Sequence, residues 1–232
     1  NRYTHSIGVM YVADQMSQRM GLNDNERQLL RLAGLLHDIG HYPLSHNVAQ
    51  AYKNYWKASQ AAESVDWESD CLINIPDILR EDYSAEDDYR LQLSGSKGFH
   101  HEVVGATIIK SNPIIRKNIE EHFITYKGKS EYSINPFFSN EDKQDYSEED
   151  IANITDSVLD DIAGIVTGNI QKESKYFEKY SLVVQLIHSE MDADNIDYLL
   201  RDATFSGTTY GILDMGVLIN SLRSCKVISP EG

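Results

Sequence analysis

Cysteine is scarce: Cys71 and Cys225 are the only two in 232 residues. Their spacing fits neither a thiolate metal motif nor a disulfide framework, and it suits a reducing, cytoplasmic setting. Any metal held by this chain would therefore take His and carboxylate ligands, which points away from a structural zinc site. No apolar run is long enough to cross a bilayer, and no signal-peptide pattern opens the chain. Basic residues are also in short supply, with 21 Lys and Arg against 36 Asp and Glu, a net charge of −15. Such a chain repels the nucleic-acid backbone, so strong sequence-independent nucleic-acid binding is not expected. It would repel any phosphorylated ligand too, unless a metal and a few local Arg, Lys or His residues reversed the field. Sheet patterning is confined to FSGTTYGI and CKVI, and no internal repeat or low-complexity tract is present.

What is there is mostly helical, and the expected class is mainly α. Residues 5 to 20 place Ile7, Met10, Val12, Ala13 and Met16 at broadly helical spacing, with Gly21 as the stop. Asn23 and Glu26 form a capping-box pattern ahead of a helix with Leu29, Leu32, Ala33 and Leu36 on one face. Helical periodicity returns at 100 to 112, and at 149 to 167 with Ile151, Ile154, Val158, Ile162 and Ile165 before Gly168. Two further helices are predicted at 178 to 189 and 192 to 202. Residues 52 to 98 and 126 to 150 are acidic or turn-rich and read as loop and helix insertions rather than domains. The whole of 1–232 reads as a single domain. Asn1 at the start and SCKVISPEG at the end point to a fragment of a longer chain.

Chemistry concentrates in LLHDIGHYPLSH, residues 35 to 46, which holds three of the eight histidines. His37 and Asp38 are adjacent and offer a nitrogen and an oxygen from one helix end. Gly40, Pro43 and Ser45 force a turn that brings His41 and His46 back toward the same space. Clustered imidazoles each need a hydrogen-bond partner or a metal. His5, the His37–Asp38 pair and an aspartate of SEMDADNIDYLLRD could build one mixed N and O site. That donor set favours Mn, Fe, Ni, Mg or Zn, with open positions for water or a phosphate oxygen. On a helix, Asp194, Asp197 and Tyr198 share a face while Asp192 points elsewhere, which makes Asp194 the better ligand. Asp197 or Asp202 then takes a supporting or structural role.

RYTHSIGV, LLHDIGHYPLSH, HHEVVG and DADNIDYLLRD, in that order, resemble the HD-domain metal-dependent phosphohydrolases, closest to the deoxynucleoside triphosphate triphosphohydrolase branch that includes the sterile-alpha-motif-linked enzymes. The resemblance implies a helical HD fold carrying the acidic insertions. It implies His5, His37, Asp38 and Asp194 as ligands of one divalent or transition metal ion. His41, His46, His101 and Glu102 would serve catalysis around the phosphate, with Glu102 tied to His101. Arg2 and Asn195 would lie at the phosphates, Tyr198 and Asp202 near the sugar, and Tyr210 near the nucleoside. Members with this pattern cleave a dNTP at the α-phosphorus, releasing a nucleoside and triphosphate. In that branch a basic residue often follows the last metal-binding aspartate, and an acid often lies three residues after the second pocket histidine. Here those positions hold Asn195 and Ala49. A nucleotidase acting on monophosphates, a phosphodiesterase, and a nucleotide-sensing module that keeps the metal without turnover stay open as alternatives. Homo-oligomerisation is expected by analogy with relatives.

Overall fold

The computed structural model describes residues 2–41, 47, 51, 54, 101–124, 147–209 and 213–225. Every regular element among them is helical, so the mainly α expectation is borne out. The principal helices are α1 (Arg2–Arg19), α2 (Asp24–Leu36), α3 (His101–Ser111), α4 (Pro113–Ile119), α5 (Glu148–Val166), α6 (Tyr180–Ile187), α7 (Ala193–Ser206) and α8 (Met215–Ser221). A π-helical turn, Glu120–Ile124, continues α4. No helix among the described residues is long and apolar enough to cross a membrane.

Local chemistry sets most of the helix ends. Asn23 caps α2 through its side chain on the Glu26 amide, and the Glu26 carboxylate returns the bond to the Asn23 amide. Ser147 and Asp150 do the same for α5. The polar stretch assigned to 126–150 therefore ends earlier, because its last residues already form the first turn of α5. The rest of that stretch lies outside the described residues, as does 52–98 apart from Asn54. The strand expected in FSGTTYGI is corrected: Phe205 and Ser206 finish α7, and Gly207 stops it in the left-handed region at φ 68°. Thr208 and Thr209 are not strand, and Cys225 of CKVI is irregular; the remaining residues of both segments lie outside the described residues.

The core is built where α1, α2, α5 and α6 meet. Helix α1 buries Val9, Val12, Ala13 and Met16, an i, i+3, i+4, i+7 stripe. Ile7, expected inside, lies on the opposite face at 37% exposure, since it sits two residues before Val9 and hence about 200° around the helix. Helix α5 contributes Ile154, Val158, Leu159, Ile162 and Ile165, and α6 contributes Val183, Val184 and Ile187. Helix α1 packs along α2 on one side and α7 on the other, while α3 rests on α5.

A buried carboxylate ties two of these helix starts together. Glu26 is 1% exposed; its Oε2 accepts the Asn23 amide at 2.9 Å and its Oε1 accepts the Lys179 amide, just before α6, at 2.8 Å. Removing the carboxylate strands both donors. Glu26→Ala is therefore expected to destabilise the chain by about 2–4 kcal/mol, measured as the free energy of urea unfolding. A loss below about 0.5 kcal/mol, the range of an ordinary surface change, would contradict the clamp.

Candidate metal and phosphate site

Four chain segments deliver the site. The N-terminal turn of α1 carries Arg2 and His5, three residues apart and so on one face. His37 is the C-cap of α2, and Asp38 and His41 stand in the turn that follows. His101 and Glu102 open α3, and Asp194 lies in the first turn of α7. The turn after α2 reaches α3 only because residue 40 is glycine: a Cβ there would overlap the His101 carbonyl and the Gly105 amide. The two helix starts matter electrostatically, since an N-terminus presents unpaired amides and the positive end of the helix dipole.

Two groups of ligand atoms result. In the first, His5 Nε2 lies 2.9 Å from Asp194 Oδ1, and His37 Nε2 lies 3.7 Å from the same oxygen. In the second, Asp38 Oδ1 lies 3.2 Å from His41 Nε2 and 3.8 Å from His101 Nε2. Asp38 joins the groups, because the same Oδ1 is 3.4 Å from His37 Nε2 and its Oδ2 is 3.9 Å from His5 Nε2. Each group satisfies the spacing a cation would need. The rings of His41 and His101 stack, with centroids 3.6 Å apart and an interplanar angle of 15°. His101 Nδ1 faces Glu102 Oε2 at 3.4 Å, a pairing made between sequence neighbours at the helix start.

The residues fit a metal on a specific observation. His37 is 6% exposed, its Nδ1–H donates to the Gly34 carbonyl at 2.7 Å, and its Nε2 is buried without a hydrogen-bond partner. A buried nitrogen without a hydrogen bond carries a desolvation penalty that a cation would remove. Mixed imidazole and carboxylate donors suit Mn, Fe, Ni or Zn, and Mg less well.

The charges are arranged accordingly. The hydrogen bond to Asp194 raises the His5 pKa above 6.5 against the opposing effect of burial, with help from Asp197 and Asp38. Burial works to lower that of His37, but the carboxylates of Asp194 and Asp38 outweigh it and raise it. Burial alone would raise Asp38; His41, His37 and Arg2 instead hold it down at about 2. Asp194 is likewise lowered, by His37 and His5 against burial.

The other expected site residues are placed as follows. Arg2 Nη1 reaches Asp38 Oδ2 at 2.7 Å, so its guanidinium sits on a carboxylate of the cluster. Asp192 is not among the imidazoles: it caps α7, accepting the amides of Asn195 and Ser189 at 2.8 Å each. Asn195 donates back to the Ser189 carbonyl at 3.2 Å. Tyr198 is 44% exposed, and Asp202 is exposed one turn further along α7. His46, Ala49 and Tyr210 lie outside the described residues. A cleft of about 460 Å³ opens beside His37 and Asp194, walled by His101, Glu102, Val166, Ile187, the 188–190 loop and Asn195. Sequence reasoning placed His101, Glu102 and Asn195 at the site but gave His188, Ser189 and Glu190 no part in this wall. It also missed the pairing of Arg201 with Asp197, which their i, i+4 spacing signals.

Residues 2–66 match the HD domain. The match bears out the HD resemblance carried by LLHDIGHYPLSH. An uncharacterized MG461 homolog from Mycoplasma pneumoniae is 27% identical over 230 residues, covering 97% of this chain and 36% of that protein. A deoxyguanosinetriphosphate triphosphohydrolase-like protein from Rickettsia akari is 27% identical over 185 residues, 78% of this chain and 42% of its own length. A deoxynucleoside triphosphate triphosphohydrolase SAMHD1 homolog from Dictyostelium discoideum is 24% identical over 214 residues, 89% of this chain and 27% of its own. The chain spans about a third of the length of the first relatives it matches.

The pKa directions fix a pH dependence for the metal-free chain. His5 and His37 titrate above 6.5 when folded, so their pairing stabilises the fold fully below 6.5 and is lost as pH rises through the raised values. Asp38 and Asp194 contribute above 3.8, and lose that contribution as pH falls through their depressed values, about 2 for Asp38. The melting temperature of metal-free protein should therefore fall between pH 6 and 9, and fall less in His5→Gln. Saturating Mn2+ should cancel the fall, because ligation needs deprotonated imidazoles. An equal fall in wild type and His5→Gln would contradict the pairing.

Proposed function

We propose that the chain is a metal-dependent phosphohydrolase that hydrolyses a dNTP to a deoxynucleoside and triphosphate. The observation that carries this reading is the convergence of His5 Nε2, His37 Nε2, Asp38 and Asp194, with the His37 nitrogen buried and making no hydrogen bond. The names of the Rickettsia and Dictyostelium relatives support the nucleotide substrate. Residues 1–232 are taken as one HD phosphohydrolase domain, with the polar stretches 52–98 and 126–146 as insertions.

His5, His37, Asp38 and Asp194 would hold one divalent or transition metal ion. That ion would supply Lewis-acid polarisation of the phosphoryl group and activation of water. The protein's own groups do the rest. His41 and His101, stacked beside Asp38, face the phosphate and stabilise charge that develops there, and with His46 they offer a proton to the departing 5′ oxygen. Glu102 holds His101 through Nδ1, which leaves Nε2 turned to the cluster. Arg2 leaves Asp38 for a phosphate oxygen when substrate binds, and Asn195 meets the phosphates as an uncharged donor. Tyr198 and Asp202 continue the Asp194 face of α7 toward the sugar, and Tyr210, outside the described residues, would meet the nucleoside. A homo-oligomer is part of this reading by analogy.

A second reading has its own support. The position after Asp194 is Asn195, whose side chain is bonded back to Ser189, and the described wall of the cleft carries Glu102, Glu190, Asp192 and Asp194 but no Lys or Arg. Fewer fixed cations suit fewer phosphates, as in a nucleotidase acting on monophosphates.

Incubating the full chain with Mn2+ or Mg2+ and a panel of dNTPs, NTPs and monophosphates, then separating products by anion exchange, tests both. Deoxynucleoside plus intact triphosphate is the expected outcome. Nucleoside plus orthophosphate from a monophosphate supports the second reading in its place. His37→Ala and Asp38→Ala should bring activity and bound metal to background together. Turnover by either variant without bound metal would overturn the mechanism.

A further inference from the structure

Both nitrogens of His5 face a carboxylate. Nε2 meets Asp194, and the Nδ1–H donates to Asp197 Oδ2 at 2.7 Å, a second acid one helical turn along α7. A carboxylate only accepts, so this bond keeps a proton on Nδ1, and the Nε2 proton that Asp194 holds in the metal-free chain is the one an ion would displace. Asp197 is 8% exposed and is itself held: Arg201 donates Nε to Oδ2 at 2.9 Å and Nη2 to Oδ1 at 3.0 Å. The same Nη2 donates to the Thr4 carbonyl at 2.9 Å, one residue before His5. The guanidinium thus grips both the orienting acid and the turn of α1 that carries the ring.

The sequence keeps room for this assembly at one more point. Gly8 lies one turn after Thr4, and a Cβ there would overlap Asp197 Oδ1 and Arg201 Nη2. Glycine in the interior of a helix costs about 1 kcal/mol relative to alanine, so its place in α1 has to be matched by this contact. Four residues on two helices, Gly8, Asp197, Arg201 and the Thr4 carbonyl, converge on the orientation of a single imidazole.

We propose that Asp197, clamped by Arg201 in the space left by Gly8, is the positioning residue that fixes the tautomer and ring orientation of His5 toward the metal. The inference rests on the reading of His5, His37, Asp38 and Asp194 as metal ligands. The alternative is an ion pair that only fastens α1 to α7. The two differ in what they do to the metal. A carboxylate behind a ligating imidazole raises its basicity and limits its rotation, and its loss typically lowers metal affinity about 10–100-fold. A fastening ion pair alters stability alone.

The test uses the full chain, Co2+ alone as probe, and Asp14→Asn as control. Asp14 is also on α1 and pairs with Arg27 and Arg31 of α2, so its loss weakens helix packing by the same kind of contact away from the ligands. Asp197→Asn is expected to lower Co2+ affinity about 10–100-fold and to change the visible ligand-field spectrum of the bound ion, while Asp14→Asn changes neither. Gly8→Ala, which keeps every side chain of the assembly but pushes Asp197 and Arg201 aside, should shift affinity and spectrum in the same direction. It gives the answer if Asp197→Asn does not fold. Unchanged affinity and spectrum in the folded variants would overturn the positioning role while leaving the metal site standing. A wild-type chain that takes up no Co2+ would overturn the metal reading itself, and the positioning role with it.

Discussion

One carboxylate organises the site. Asp38 is met by Arg2 at 2.7 Å, His41 at 3.2 Å, His37 at 3.4 Å, His101 at 3.8 Å and His5 at 3.9 Å. These partners come from the start of α1, the end of α2, the turn after it and the start of α3. A buried anion is tolerable only when its neighbours compensate it, so the position of Asp38 constrains where three helices can end. The close approach of Gly40 to His101 and Gly105 is part of that constraint, because it lets the turn and α3 share one acid.

The electrostatics run against the chain as a whole. A net charge of −15 makes the protein a poor host for phosphates, and the reversal has to be local. Imidazoles supply part of it, since those of His5 and His37 hold protons more tightly than usual beside Asp194 and Asp38. A proton on each ring and a metal between them are competing answers to one problem, the uncompensated charge of two desolvated aspartates. The starts of α3 and α7 add the positive ends of their dipoles at the same place.

Much of this was legible in the sequence, for physical reasons that differ from residue to residue. The capping box at Asn23 and Glu26 and the stops at Gly21 and Gly168 are local, so short-range rules recover them. The cluster in LLHDIGHYPLSH was readable because imidazoles close together in sequence need partners wherever the chain goes. What failed depends on distance in the chain. The face of α1 was misjudged at Ile7 because Met10 and Ile7 looked as apolar as Val9, and only packing against α2 selects the buried stripe. FSGTTYGI has β-favouring residues, yet α7 runs on to Gly207. The His5 partner of Asp197 and the Thr4 partner of Arg201 lie nearly two hundred residues away, and no spacing rule connects them.

The central claim is that His5, His37, Asp38 and Asp194 hold one ion. Anomalous diffraction from crystals of the full chain soaked in Mn2+ addresses it most directly. The account predicts a single strong peak in contact with His5 Nε2, His37 Nε2 and oxygens of Asp38 and Asp194, with Arg2 displaced from Asp38. A peak held by His41 and His101 without His5 and His37, or no peak at saturating Mn2+, would contradict it.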